Sequence, residues 1–181
     1  QAGLGGGSSD AAFMIRLLDE RFRLNIGNPE MEKYAARLGA DCAFFIEAEP
    51  AYAEGIGDEL MPVDGPKGNL NGYYLAIVKP DIAVSTKEAY AAITPTATSK
   101  SCREIVRQPI ETWKEEMVND FEAPIFKLHP ELAEIKEKLY QQGAKYAAMS
   151  GSGSALFGIF ETEPNGLKEM FQDCFCEVLK L

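Results

Sequence analysis

The chain has 181 residues, 46% hydrophobic and 25% charged, enough apolar material for one generous or two small packed domains and too much for wholesale disorder. Eighteen basic residues against 28 acidic ones leave a formal charge of −10, which repels nucleic-acid phosphates and anionic membranes at long range and excludes both as expected partners. No apolar run is long enough to cross a bilayer, and no charged-then-apolar signal segment opens the chain.

The chain opens on a glycine-rich stretch with no strand or cap ahead of it, so the natural protein is expected to extend upstream. Ser8 or Ser9 is placed to cap a helix with Asp10 in its first turn. Ala11, Ala12, Ile15, Leu18 and Phe22 recur at helical spacing and predict its buried face. A second helix opens near Pro29, carries Glu30 and Glu32 early and stops at Gly39. Residues 51–60 read as a strand and tight turn, and 73–79 as a buried strand ended by Pro80. Ser85 and Glu88 form a capping-box pattern for a short helix through Ile93, followed by a polar loop over 94–101. Helical patterns follow over 109–117, 120–126 and 130–142, the last ending at Gly143. The last stretch changes character: strand 144–149, loop 150–154, strand 155–160, helix 164–172 and strand 174–181. Strands paired across helices without strict alternation indicate an α+β fold. Cys42, Cys102, Cys174 and Cys176 lack CxxC spacing, so reduced thiols in a cytoplasmic setting are expected, with Cys174 and Cys176 on one strand face.

Three segments carry chemistry. Gly3-Leu4-Gly5-Gly6-Gly7-Ser8-Ser9 lets the backbone approach an anion closely, and the following helix start supplies local positive potential. It lacks the Gly-Lys-Ser/Thr ending of a Walker A loop, and it fits G-x-G-x-x-G only loosely, because Ser8 takes the last glycine position. A flexible linker has similar composition, but not the amphipathic helix behind it. Asp41 follows the helix-ending Gly39 and precedes an apolar run. Such aspartates commonly form turns; this one can also accept a proton from a substrate hydroxyl. Ser150-Gly151-Ser152-Gly153-Ser154 joins two strands and is either a hairpin loop or a second backbone cradle. His129 reads as structural, and Trp113 and most Phe and Tyr residues as core, with Tyr90 the exception.

In this order AGLGGGSSDAA (2–12), LGADCAFF (38–45), VKPDIAVSTKEAY (78–90), NDFE (119–122) and MSGSGSALF (149–157) resemble the GHMP kinases. Within that family they resemble the branch acting on a cytidine diphosphate-linked methylerythritol. The resemblance implies an α+β, GHMP-kinase-like two-domain fold lacking its N-terminal portion. Residues 1–75 would be the remainder of the ATP-binding domain, and 76–181 a C-terminal domain with a small antiparallel sheet backed by helices. The implied reaction moves the γ-phosphoryl of ATP to a 2-hydroxyl, a step of non-mevalonate isoprenoid precursor synthesis. It implies that Gln1, Ala2, Gly3, Leu4, Gly5, Gly6, Gly7, Ser8 and Ser9 wrap the triphosphate, that Asp41 takes the hydroxyl proton, and that Thr86 and Tyr90 bind substrate, the Tyr90 ring on cytosine. Ser150, Gly151, Ser152 and Gly153 would close on the substrate. Mg²⁺ would accompany ATP, with no metal site of the protein's own. Two departures stand out: Ala43 replaces the usual proline, and the family's catalytic lysine, from an early strand, has no counterpart, so the 181 residues alone are expected to be inactive. A GHMP kinase for mevalonate, homoserine or a sugar, a non-catalytic nucleotide-binding module and a purely structural domain are the alternatives.

Overall fold

The computed structural model describes residues 3–63, 70–94 and 100–181. Gln1, Ala2 and most of the expected loop 94–101 lie outside these. Among the described residues, 5–63 form one compact unit, and 3–4 with 70–181 form a second.

In the first unit, α1 (Gly6–Phe22) leads into α2 (Asn28–Ala36), which has Pro29 in its first turn. Between them the Asp19 carboxylate accepts the Ile26 N–H at 2.8 Å. A 3-10 turn (Ala40–Cys42) and α3 (Phe44–Glu47) follow. Ala12, Met31, Ala35, Cys42 and Ile46 make a small core among these helices. The expected strand over 51–60 is a hairpin: β1 (Ala51–Glu54) pairs antiparallel with β2 (Glu59–Pro62). Two expectations for α1 need correction. Its N-cap is Gly5, with no side-chain cap, and Ser8, Ser9 and Asp10 lie inside the helix, because the glycine turn starts the helix two or three residues early. Leu18 and Phe22 are 43% and 64% exposed, because α2 and α3 cover only the side of α1 that carries Ala12.

The second unit is built on a sheet of order β4-β5-β3-β6, every pair antiparallel. The strands are β3 (Tyr74–Lys79), β4 (Tyr146–Met149), β5 (Leu156–Phe160) and β6 (Phe175–Lys180). Val78 stands opposite Leu156 on one side and Cys176 on the other. Between β3 and β4 run α4 (Thr86–Ala92), α5 (Cys102–Ile105), a 3-10 turn (Ile110–Thr112), α6 (Trp113–Glu116), α7 (Glu122–Leu128) and α8 (Pro130–Gln141); α9 (Leu167–Met170) precedes β6. Ser85 caps α4 by accepting the Glu88 N–H, as its sequence predicts.

Both sheet faces are covered. Leu132, Ile135 and Leu139 of α8 pack with Ala76, Val78, Ala147, Met149 and Leu156 on one face. Ile105, Ile110 and Trp113 pack with Tyr146, Ala148 and Ile159 on the other. This is why β4 reads as a continuous apolar run and not an alternating one. Each fully buried large side chain contributes about 1.5–3 kcal/mol. Cys174 and Cys176 pack beside the α8 core while Phe175 between them is exposed, and burial pushes both thiols up. At the β4 edge the Tyr140 hydroxyl accepts the Ala147 N–H at 3.1 Å and donates to the Ala147 carbonyl at 3.2 Å. Helix α5 was not anticipated, although Ser101 and Glu104 spell a capping box that the structure forms. Among the described residues no helix is long and apolar enough to cross a membrane.

Candidate active site

In the first unit the start of α1 and Asp41 are the chemistry-bearing parts. Gly5 has φ 63°, and a Cβ there would lie 2.8 Å from the Phe45 ring, so only glycine fits beneath the turn. The first intrahelical bond runs from Ser9 N–H to the Gly5 carbonyl at 2.8 Å. The N–H groups of Gly6, Gly7 and Ser8 are therefore those that a helix start leaves without a partner in the helix. No side chain caps them, and no acidic residue lies in the first turn. A Cβ on Gly6 or Gly7 would meet nothing within 4 Å. The result is an open patch of backbone donors at the positive end of a helix dipole.

Asp41 is exposed on the 3-10 turn that packs against α1. The turn is anchored by its neighbour Cys42, buried beside Ala12, with its N–H donated to the Gly39 carbonyl at 3.0 Å. Ala43 has φ −58°, the value a proline ring would impose, so the turn keeps that conformation without the ring. Gly57, in the β1–β2 turn, approaches Asp41 closely enough that a Cβ would stand 3.6 Å from Oδ1.

In the second unit Gly3 meets the 150–154 loop. The Ser150 hydroxyl donates to the Gly3 carbonyl at 2.7 Å, and a Cβ on Gly3, at φ 69°, would fall 2.1 Å from the Ser150 carbonyl oxygen. The loop is closed by Ser150 N–H to the Ala155 carbonyl at 2.8 Å and Gly153 N–H to the Ser150 carbonyl at 3.0 Å. Buried Ser154 donates its hydroxyl to the Ile82 carbonyl. Thr86 Oγ1 lies 3.4 Å from Ser152 Oγ, which brings the 86–90 helix to the same loop. One turn on, Tyr90 is 64% exposed and meets the Phe121 ring edge-on, centroids 4.9 Å apart, so it is a surface aromatic and not a core one. A cavity of about 530 Å³ opens nearby, lined by Ala92, Thr94, Val118, Asn119, Pro124 and Leu128 among others.

Thus Thr86, Ser150 and Ser152 gather with Gly3 in one unit, and Asp41 lies with the α1 start in the other; Leu4 is exposed beside Gly3 in the chain. Sequence reasoning missed the Gly3–Ser150 link and the Phe45 ring under Gly5. No local pattern announces either, because both join segments far apart in the chain.

Comparison with known proteins bears on the same segments. Residues 1–49 match the GHMP kinases N terminal domain, and residues 102–175 match GHMP kinases C terminal. A 4-diphosphocytidyl-2-C-methyl-D-erythritol kinase of Bacteroides fragilis is 52% identical over 175 residues, 97% of this chain and 63% of that protein. One from Parabacteroides distasonis is 53% identical over 176 residues, 96% of this chain and 64% of that protein. The chain thus spans under two thirds of these curated relatives' length. The crystal structure of a 4-(cytidine 5'-diphospho)-2C-methyl-D-erythritol kinase superposes with a TM-score of 0.79 at 28% identity, covering 99% of this chain and 67% of that one. On matches at both ends, a shared α+β fold and close relatives of one kind, the chain belongs to the GHMP kinases.

Proposed function

We propose that the chain is the larger part of an enzyme that transfers the γ-phosphoryl of ATP to the 2-hydroxyl of 4-diphosphocytidyl-2-C-methyl-D-erythritol, in the cytoplasm. The observation that carries this reading is the α1 start, with uncapped N–H donors, no carboxylate in the first turn and open space above Gly6 and Gly7. The names of relatives at about half identity supply the acceptor. Residues 1–75 are assigned to the ATP-binding domain and 76–181 to the C-terminal domain. In the reaction Asp41 takes the hydroxyl proton as that oxygen bonds to the γ-phosphorus. The bond from phosphorus to the β,γ-bridging oxygen breaks, and ADP leaves with its electron pair. Backbone N–H groups of residues 5–9 hold the phosphates, residues 1–4 continue that loop, and Ser150, Gly151, Ser152 and Gly153 close on the substrate. Thr86 and Tyr90 bind it, the Tyr90 ring against cytosine. Mg²⁺ enters as the ATP complex; among the described residues no group of three or more His, Cys, Asp or Glu is placed to hold a metal.

The test uses the full-length gene product. Gly6→Val adds a side chain that meets no protein atom, so the fold should survive while calorimetric ATP affinity falls sharply. Asp41→Asn should keep both ligands bound and lower kcat about 10²–10⁴-fold. Unchanged ATP affinity in the first variant removes the phosphate cradle; unchanged kcat in the second removes the base.

A further inference from the structure

The NDFE segment has no role in the reaction described so far, yet its side chains converge on the root of the 150–154 loop. Met149, the last residue of β4, donates its N–H to the Glu122 carboxylate at 2.8 Å. Its carbonyl accepts from Asn119 Nδ2 at 2.7 Å, and the same Nδ2 donates its second proton to the Gly151 carbonyl at 2.8 Å. Asn119 Oδ1 in turn accepts the Phe121 N–H at 2.9 Å. That last bond fixes which way the amide points, since only its oxygen can accept an N–H. Both amide protons and the oxygen are therefore in use, and the carbonyls on either side of Ser150 are tied to one nitrogen. Between them the Ser150 hydroxyl reaches Gly3. The buried Glu122 is held by Lys136, which keeps the base of the arrangement in place.

We propose that Asn119 is a positioning residue: its amide sets the shape of the 150–154 loop and, through Ser150, the place of Gly3. The proposal rests on the reading that these glycine segments grip the nucleotide. Asn119→Asp separates the two ends of the side chain. It keeps the oxygen that accepts from Phe121 but turns the donor toward Met149 and Gly151 into an acceptor facing two carbonyls. Asn119→Ala removes both ends.

Both variants of the full-length gene product would be followed by amide hydrogen exchange, by thermal melting and by steady-state kinetics. Exchange at Gly151–Gly153 should quicken in both while the paired Ala148 and Phe157 amides stay protected. KM for ATP should rise about tenfold or more, as losing two hydrogen bonds predicts, with kcat much less affected. Loop exchange unchanged in both variants overturns the proposal. Faster loop exchange with an unmoved KM upholds the positioning role and overturns the loop's part in nucleotide binding. Should the variants fail to fold, the wild-type protein still decides: the Asn119 side-chain amide protons should exchange slowly, and fast exchange overturns the assignment.

Discussion

Helices α1 and α8 carry the same kind of apolar stripe and meet different fates. In α8, Leu132, Ile135 and Leu139 are at most 6% exposed, pressed against a sheet that is part of the same unit. In α1, Phe13, Met14 and Leu17 are 54%, 54% and 56% exposed, and only Ala12 is fully buried. Periodicity thus predicts that a helix has an apolar face but not what lies opposite it. A contiguous exposed stripe of this kind marks an interaction face. The relatives also have more than a third of their length outside the matched span.

The contrast can be broken most directly by truncating one leucine in each helix. Leu139→Ala leaves a cavity in a closed core and should cost about 3 kcal/mol in denaturant unfolding. Leu17→Ala should fall within about 0.5 kcal/mol, and Leu17→Glu should lower binding of a hydrophobic dye by the 181-residue chain. Equal costs for the two alanine variants would mean that α1 is as well covered as α8. A smaller effect sharpens the comparison from the polar side. Lys136→Met strands the Glu122 carboxylate, which is 8% exposed, but Lys136 itself keeps 25% of its surface in water. The expected loss is about 2 kcal/mol, below that of a fully buried pair.

The smallest effect concerns helix starts. The Ser101 backbone N–H, and secondly its hydroxyl, hold the Glu104 carboxyl below the usual carboxylate range. A depressed folded value means that this contribution is present above the ordinary range and is lost as pH falls through the depressed one. Mild acid should loosen α5 and leave the uncapped start of α1 unaffected. By NMR titration Ser101→Ala should raise the Glu104 midpoint part of the way back; an unmoved midpoint would show that the hydroxyl contributes nothing.

Much of the second unit was legible in the sequence. Apolar runs marked β3, β4, β5 and β6, and Pro130 and Gly143 bracketed α8. The Ser85 cap was readable because a cap is a local event. What escaped was local chemistry mistaken for loop, as at Ser101 and Glu104, and everything set by distant partners. Ser8 and Ser9 looked like caps because their residue type favours that place. Gly5, seated on the Phe45 ring, turns the chain first. Asn119 stood in a recognised motif, yet its work depends on carbonyls 30 and 32 residues away.

The treatment of the β4 edge bears on how copies of this chain can associate. Its outward-facing backbone groups, on Ala147 and Met149, are taken up by Tyr140, Glu122 and Asn119. An approaching strand finds no vacant donor or acceptor there. The opposite edge, β6, has no such cover from a further strand, and it shows Phe175 and Leu179 to solvent. In the language of polymerisation, the sheet is monofunctional: edge-to-edge pairing through it closes at two copies and cannot propagate into a fibre.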